Sequence, residues 1–340
     1  MKKTIFLVTM CLVMATMTSC NQDRDMNETV SITSEVTSMA KSAEESSSMT
    51  PFDIKKVNDN YEVSFAESAM IYSIVDNSQN SQYIQKLKEA LKMGVPLLIT
   101  REEGLITNVQ TTREKRNTTN YTPEYGYNNL TEAVESMKKL NALALELSNK
   151  NTYIYYESSH GIPNFNFRVD GCYARAHRMR EILKSKGYKC EKVWIQGDLR
   201  AVTNKVTIRW GYHVAIAVKV TERIRQIQNG KYVMLNATVK KIIDPAFQNM
   251  PMDEKTWKDK CTNTMPTFYH VNGKSVLTWN NPKFLQLIYT NSNVYTINWR
   301  NNTRNYDNQY SNTRQVLNQY KNSIEYFTPN VTGLSFNIYP

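Results

Sequence analysis

The chain has few cysteines and no excess of glycine or proline, and these shortages exclude several classes of protein. Five cysteines among 340 residues are too few for a disulfide scaffold. Eleven glycines, ten prolines and a hydrophobic content of 41% exclude a collagen-like or wholly disordered chain. Ligand spacings typical of zinc sites, such as CxxC or HxxxH, are missing, so we expect no metal and no other cofactor.

The positive charge of the chain is concentrated in its second half. The total is +11, but residues 151–340 hold 26 Lys and Arg against 12 Asp and Glu, a net charge of +14, whereas residues 1–150 carry −3. Opposite net charges favour docking of the two halves, although salt weakens the effect. The basic residues are scattered and no nucleic-acid motif is recognisable, so a nucleic-acid partner is not expected. The length favours two folded units.

The first 50 residues have the pattern of an export signal and a tether. Lys2 and Lys3 precede an apolar run at 5–17, which is too short to cross a bilayer but suits the core of a signal peptide. Small residues directly before Cys20 resemble a bacterial lipobox, in which residues 1–19 are removed and the cysteine is lipidated. Residues 20–50 are rich in Ser and Thr and are expected to form a tether. These features predict an exported lipoprotein at the outer membrane or cell surface; the alternative is an ordinary signal peptide with an incidental cysteine.

Residues 51–112 are expected to form a small domain of strands and helix. An alternating pattern begins at Tyr61, and apolar residues at helical spacing predict a helix that ends at Gly94. About 60 residues make a marginal domain that is expected to need a partner surface. The polar residues 113–128 follow as an exposed linker, where proteolysis concentrates.

A reactive cysteine is predicted in the segment from Asp170 to Leu183. Residues 166–169 have a strand pattern and follow a predicted helix of about 20 residues from Leu130 to Leu147. Gly171 allows a turn into the next helix and places Cys172 in its first turn. The unpaired N–H groups and the helix dipole favour a thiolate there, so we expect an acidified thiol. A buried structural cysteine is the alternative.

His213 and Asp244 are the predicted partners of Cys172. They lie on strand-like segments at 210–218 and 240–245, and a hairpin through Asn229 and Gly230 would place them side by side. His213 would take the proton of the thiol, and Asp244 would fix the tautomer and orientation of the imidazole. Spacing alone therefore predicts a Cys-His-Asp enzyme without naming its substrate.

Four motifs resemble those of the bacterial protein-glutaminases. They are DGCYARAH at 170–177, WGYHVAI at 210–216, IIDP at 242–245 and W-x-x-x-C-x-N at 257–263. The resemblance implies that Cys172 is the nucleophile, His213 the acid and base, and Asp244 the orienting carboxylate. It also implies an α+β fold with a transglutaminase- or papain-like core, in which the cysteine lies at a helix N-terminus packed on an antiparallel sheet.

The resemblance implies a reaction and a latent form. Glutamine side chains of proteins or peptides would be hydrolysed to glutamate through a thioester, with release of ammonia. Residues 51–112 would be a small α/β pro-domain that inhibits the catalytic domain at 129–340 in cis. An unknown protease would cut within 113–128, for example after Lys115 or Arg116, and release the catalytic domain from its lipid anchor.

Other roles and other functions remain open at this point. Gly171, Trp210 and Tyr212 are candidates for shaping the glutamine slot, with packing as the alternative. Export permits a disulfide between Cys190 and Cys261, which would leave Cys172 free. A transglutaminase that transfers the acyl group to an amine would share the triad, and a surface-binding lipoprotein is the non-enzymatic alternative. The separation of 41 positions from Cys172 to His213 is short for a papain-like peptidase.

Overall fold

The computed structural model describes residues 45–102, 104–112, 127–148, 167–202, 207–262, 267–271, 274–278 and 283–320. Although the length favoured two folded units, all of these residues belong to one. The predicted signal peptide at 1–19 and residues 113–126 of the predicted linker lie outside the described residues.

The N-terminal part, residues 45–112, is a sheet with one described helix beside it. Its elements are β1 (Glu45–Met49), β2 (Pro51–Val57), β3 (Asn60–Phe65), β4 (Ser68–Val75), α1 (Ser81–Met93), β5 (Leu97–Glu102) and β6 (Leu105–Thr111). As the spacing predicted, α1 buries Ile84, Leu87 and Ala90 and ends at Gly94, whose N–H donates to the carbonyl of Ala90 at 2.7 Å. The predicted tether at 20–50 is too long, because β1 pairs with β5 from Glu45 onward.

The remaining described residues, 127–320, form the C-terminal part. Its elements are a 3-10 turn (Tyr127–Asn129), α2 (Met137–Ser148), α3 (Cys172–Ser185), β7 (Glu191–Val202), β8 (Thr207–Gln228), β9 (Lys231–Ile243), α4 (Glu254–Cys261), β10 (Thr267–Val271), β11 (Lys274–Thr278), β12 (Lys283–Asn291), β13 (Val294–Asn298), β14 (Thr303–Tyr306) and α5 (Ser311–Gln319).

An antiparallel sheet in the order β12-β7-β8-β9 carries the C-terminal part. Helix α3 packs against β8, and α4 packs against β7 and β9. Trp194, Trp210 and Trp257 are fully buried between these layers. The N-terminal sheet joins this sheet through one pair, Met70 of β4 with Trp210 of β8. The arrangement confirms the predicted α+β class, with a helix that begins at a cysteine packed on an antiparallel sheet.

Two predicted elements differ from the structure. Helix α2 begins at Met137, not near Leu130, because Ser136 caps it: the Ser136 hydroxyl accepts from the N–H of Lys139 at 3.3 Å. Val134 is buried for another reason, since it pairs with Val220 of β8. Hydrophobic periodicity alone cannot distinguish an apolar residue that is buried in a helix from one that is buried outside it.

The expected strand at 166–169 is irregular over its described residues, 167–169. Side chains satisfy its backbone instead of a neighbouring strand. Trp210 Nε1 donates to the carbonyls of Arg168 and Val169 at 3.1 and 3.0 Å, and Arg175 Nη1 donates to the carbonyl of Phe167 at 2.9 Å. The sequence does not reveal such distant donors.

Candidate active site

The turn before α3 places Cys172 at the first residue of the helix. Gly171 has φ +75°, a left-handed conformation that glycine adopts without steric cost, and its carbonyl accepts the N–H of Arg175 at 3.0 Å. Cys172 is 2% exposed. The backbone N–H of Val214 donates to its thiol, so the sulfur lies beside strand β8 at the residue that follows His213.

The β8–β9 hairpin brings His213 and Asp244 together as predicted. Asn229 and Gly230 both have positive φ, +51° and +73°, which is the requirement of a two-residue turn that fits strand twist. The ladder runs from Gln228 paired with Lys231 to Ile216 paired with Ile243. At its end, His213 Nε2 lies 2.8 Å from Asp244 Oδ2.

Asp244 is a buried carboxylate with three donors around it. Besides His213, Trp257 Nε1 donates to Oδ2 at 2.8 Å and the N–H of Ala246 donates to Oδ1 at 3.1 Å. Burial alone would raise the pKa of Asp244, but the charge and hydrogen bond of His213, with the bonds from Trp257 and Ala246, lower it below its ordinary value. The sequence motif contained Trp257 but did not reveal this role.

The imidazole of His213 is held by aromatic rings on its faces. The Trp210 ring stacks on it at 4.3 Å between centroids with an interplanar angle of 10°, and Trp257 lies at 5.9 Å. Because the Asp244 carboxylate can only accept, Nε2 carries the proton and Nδ1 of the neutral ring is the basic nitrogen. Nδ1 is buried and has no hydrogen-bond partner among the described residues.

The thiol of Cys172 is not acidified in this structure, contrary to the sequence prediction. Burial raises its pKa to about 12; the neighbouring Arg175 and the Val214 N–H favour the thiolate but do not compensate. The helix N-terminus alone therefore does not determine the thiol's charge. Desolvation, which depends on what covers the site, has the larger effect on the pKa of the thiol.

The N-terminal part contacts the chain next to this cysteine. Asp170, two residues before Cys172, accepts the Ser68 hydroxyl at 2.7 Å and the N–H of Ala69 at 2.9 Å. It also accepts the hydroxyl of Tyr320 at 3.1 Å. The role of Asp170 was not predictable from the sequence, because its donors lie about 100 positions earlier and 150 positions later in the chain.

The three residues proposed to shape the slot are all buried or constrained. Trp210 is fully buried and stacks behind His213, which is a packing position. The hydroxyl of Tyr212 donates to the carbonyl of Ala66 in the N-terminal part at 3.2 Å. A Cβ on Gly171 would meet the Tyr320 ring at 3.0 Å.

The expected disulfide between Cys190 and Cys261 does not form, and both are free, buried thiols. Cys190 directly precedes β7, whereas Cys261 ends α4 and its neighbour Thr262 pairs with Arg200 near the far end of β7. At roughly 3.3 Å per residue the strand separates them by roughly 30 Å. A disulfide requires Cα atoms within about 7 Å.

Other predicted sites fall partly outside the described residues. Cys20, Lys115 and Arg116 lie there. Within the described ranges, no three His, Cys, Asp or Glu side chains form a group that could hold a metal ion. None of the described helices is both long and apolar enough to cross a membrane.

Comparison with known proteins gives a family match over the part of the chain that contains these residues. The family model described as Glutaminase matches residues 144–261, which include all three members of the proposed triad. No curated protein matches the chain.

Solved structures resemble the chain over most of its length. The crystal structure of a pro-protein-glutaminase is 28% identical, with a TM-score of 0.62 over 82% of this chain and 93% of that one. A mutant of pro-protein-glutaminase matches with the same identity and TM-score, over 82% and 94%. The NMR structure of protein-glutaminase from Chryseobacterium proteolyticum is 32% identical over 56% of this chain and 90% of that one, with a TM-score of 0.43.

Proposed function

Because this chain belongs to the protein-glutaminase family, we propose that it hydrolyses the side-chain amide of glutamine residues in proteins and leaves glutamate and ammonia. The observation that carries the proposal is the His213–Asp244 pair at 2.8 Å, which leaves a basic Nδ1 on the ring beside the strand residue that bonds the Cys172 thiol. A Cys-His-Asp arrangement of this kind is built for nucleophilic attack on a carbonyl carbon.

Each chemical step can then be assigned to a side chain or backbone group of the site. His213 Nδ1 removes the Cys172 proton, and the thiolate attacks the amide carbon of glutamine to form a tetrahedral oxyanion. The N–H of Cys172, in the first turn of α3 where backbone donors lack helical partners, is suited to bind this oxyanion. The C–N bond breaks as His213 returns the proton to the leaving nitrogen, and ammonia departs.

Hydrolysis of the thioester completes the cycle. His213 takes a proton from a water molecule, the hydroxide adds to the thioester carbon, and the C–S bond breaks to give glutamate and the Cys172 thiolate. Asp244 keeps the Nε2 proton in place and stabilises the imidazolium that forms twice in each cycle. Transfer to water and not to an amine separates this reaction from a transglutaminase.

We further propose that residues 51–112 act as an inhibitory pro-domain for the catalytic domain at 129–340. The pro-form structures that resemble this chain support it, as do the contacts of Ser68 and Ala69 with Asp170 beside the nucleophile. Cleavage within 113–128, after Lys115 or Arg116, would relieve the inhibition. Opening the cleft would rehydrate the thiol and so remove the main cause of its raised pKa.

The N-terminal segment is proposed to place the enzyme at the cell envelope. Residues 1–19 would be removed, Cys20 would be lipidated at the outer membrane or cell surface, and cleavage in the linker would then free the catalytic domain. Radioactive palmitate should enter the wild-type chain and not a Cys20→Ala variant; a wild-type chain without label would contradict the anchor.

The reaction is tested with the cleaved chain and a protein substrate. Ammonia release should accompany conversion of glutamine, and not asparagine, to the acid in peptide mass spectra. Cys172→Ala should lower the rate by at least about a thousandfold. Cys190→Ala is the matched control, since this buried thiol lies away from His213 and its loss should leave the rate near wild type. Equal activity of Cys172→Ala, or amide transfer to an added amine in place of hydrolysis, would overturn the proposal.

A further inference from the structure

Arg209, immediately before Trp210 on strand β8, is held by a carboxylate from the N-terminal part. Its Nη1 and Nη2 donate to Glu62 Oε1 and Oε2 at 2.6 and 3.1 Å. Two parallel bonds of this kind are the geometry in which a guanidinium recognises a carboxylate. Nη2 also donates to Asp198 at 3.0 Å, a residue of the C-terminal part.

The segment that carries Glu62 continues along the candidate active site. Ser64 lies against Gly211, where a Cβ would come within 2.8 Å of the serine oxygen. The Ala66 carbonyl accepts the Tyr212 hydroxyl, and the Ala69 N–H reaches Asp170 beside Cys172. Residues 62–69 thus cover a strip of surface that leads from Arg209 to the nucleophile.

A protein that presents a glutamine to Cys172 has to lie over part of this same strip. When the N-terminal part leaves, Arg209 keeps Asp198 but loses the carboxylate that occupied both ends of its guanidinium. Arg200, its cross-strand neighbour, adds a second positive charge on the same face of the sheet. Arg200 is 3% exposed, and its Nη1 and Nη2 have no hydrogen-bond partner among the described residues.

We propose that Arg209 binds a carboxylate side chain of the protein substrate, so that the enzyme favours glutamines preceded within a few residues by aspartate or glutamate. The inference rests on the proposed deamidation and names its substrate class. Glu62 marks the place of the substrate carboxylate, and its position ahead of Ala66 in the chain sets the direction.

The experiment uses the full chain, after limited trypsin cleavage, as the enzyme. Its substrates are peptide twins, that is, pairs of peptides that differ at one position. Each peptide holds one glutamine, with glutamate or serine placed in turn at each preceding position that the segment 62–66 would span. At the best position, kcat/KM from ammonia release should be about three- to tenfold higher for the glutamate peptide, and the ratio should fall in high salt. Arg209→Gln should bring the ratio to about one.

Two further variants keep the outcome interpretable. Lys219→Gln, on the same strand but paired with Glu132, should keep both the ratio and the rates of the wild type. The charge exchange Glu62→Arg with Arg209→Glu preserves an ion pair between the two parts of the uncut chain, and after cleavage it should favour a lysine twin over the glutamate twin. Equal rates on all twins with the wild type, or an unchanged ratio with Arg209→Gln, would overturn the inference while ammonia release still upholds the deamidation. Absence of ammonia from every peptide and protein would overturn the proposed function instead.

Discussion

Cys172 should change its reactivity when the N-terminal part is released. In the uncut chain burial raises the pKa of its thiol to about 12, so the thiolate fraction is very small at neutral pH and rises about tenfold per pH unit up to that value. Exposure after cleavage leaves Arg175 and the helix N-terminus to favour the thiolate. Alkylation of Cys172 by iodoacetamide at neutral pH should then be at least about a hundredfold faster.

Cys190 is the internal control for this measurement. Burial also raises the pKa of its thiol, to about 11, but Arg180 and Ser292, the neighbours that lower it, belong to the C-terminal part. Peptide-resolved mass spectrometry should therefore show the same slow alkylation of Cys190 before and after cleavage. If Cys172 of the uncut chain reacts at neutral pH as fast as in the cleaved chain, the cover does not control the thiol.

The placement of Cys172, His213 and Asp244 was predictable because each residue is positioned by a local signal. A glycine turn puts Cys172 at a helix start, and an Asn-Gly hairpin aligns the strands of His213 and Asp244. The charge state of the thiol was not predictable, since the desolvation that decides it comes from contacts distant in sequence. The donor from Trp257 to Asp244 was missed for a related reason: nothing in a motif shows where an indole N–H points.

Gly171, in the turn before α3, should tolerate substitution by alanine less well than another glycine of similar conformation. Gly187, after α3, has φ +86° and open space around it, whereas a Cβ on Gly171 would meet Tyr320 at 3.0 Å. Alanine at either position should cost about 1 kcal/mol of unfolding free energy from the positive φ alone. Gly171→Ala should lose more, because the Tyr320 ring also stacks on Phe167 at 4.7 Å.

Urea unfolding of the uncut chain and kcat of the cleaved chain measure this difference. Gly187→Ala should keep the wild-type kcat, while Gly171→Ala should lower it because Cys172 is the next residue. Equal losses of stability with equal kcat in the two variants would show that the Tyr320 contact does not constrain the turn.

Helices and strands were predictable where local and tertiary preferences agree. Helix α1 has both an apolar stripe and a terminal glycine, and its observed end agrees with the pattern. The start of α2 was missed because Leu130 and Val134 continue the stripe in register, yet Val134 pairs with strand β8. The prediction of a strand at 166–169 was wrong over the described residues 167–169. Their carbonyls accept hydrogen bonds from the Trp210 and Arg175 side chains and not from a neighbouring strand.

The N-terminal and C-terminal parts form one unit because a strand pair and polar side-chain contacts join them at their junction. Met70 of β4 pairs with Trp210 of β8, and Glu62 and Gln319 make polar contacts across the junction with Arg209 and Glu45. The negative net charge of residues 1–150 and the positive net charge of residues 151–340 agree with the Glu62–Arg209 pair, in which the N-terminal part supplies the acid and the C-terminal part the base. Composition does not reveal which strands meet, since pairs such as Met70 with Trp210 are 140 positions apart.

Ser68 should hold the inhibited state closed. Its hydroxyl donates at 2.7 Å to the buried carboxylate of Asp170, and removing it takes away one of that carboxylate's three donors, the others being Ala69 and Tyr320. A loss of about 1 kcal/mol in docking raises the open population roughly fivefold, so Ser68→Ala should raise the basal ammonia release of the uncut chain by about that factor. After cleavage the variant should equal the wild type, because Ser68 leaves with the N-terminal part.

The matched control for Ser68 is Ser81→Ala, at the exposed start of α1, where the hydroxyl bonds only to the nearby carbonyl of Ser78 among the described residues. That variant should keep the wild-type basal rate, since Ser81 makes no hydrogen bond across the junction. A similar rise in both variants would mean that general destabilisation, not the Asp170 contact, opens the site. A wild-type chain that is equally active before and after cleavage would show that residues 51–112 do not inhibit, even though Ser68 and Ala69 contact Asp170 beside Cys172.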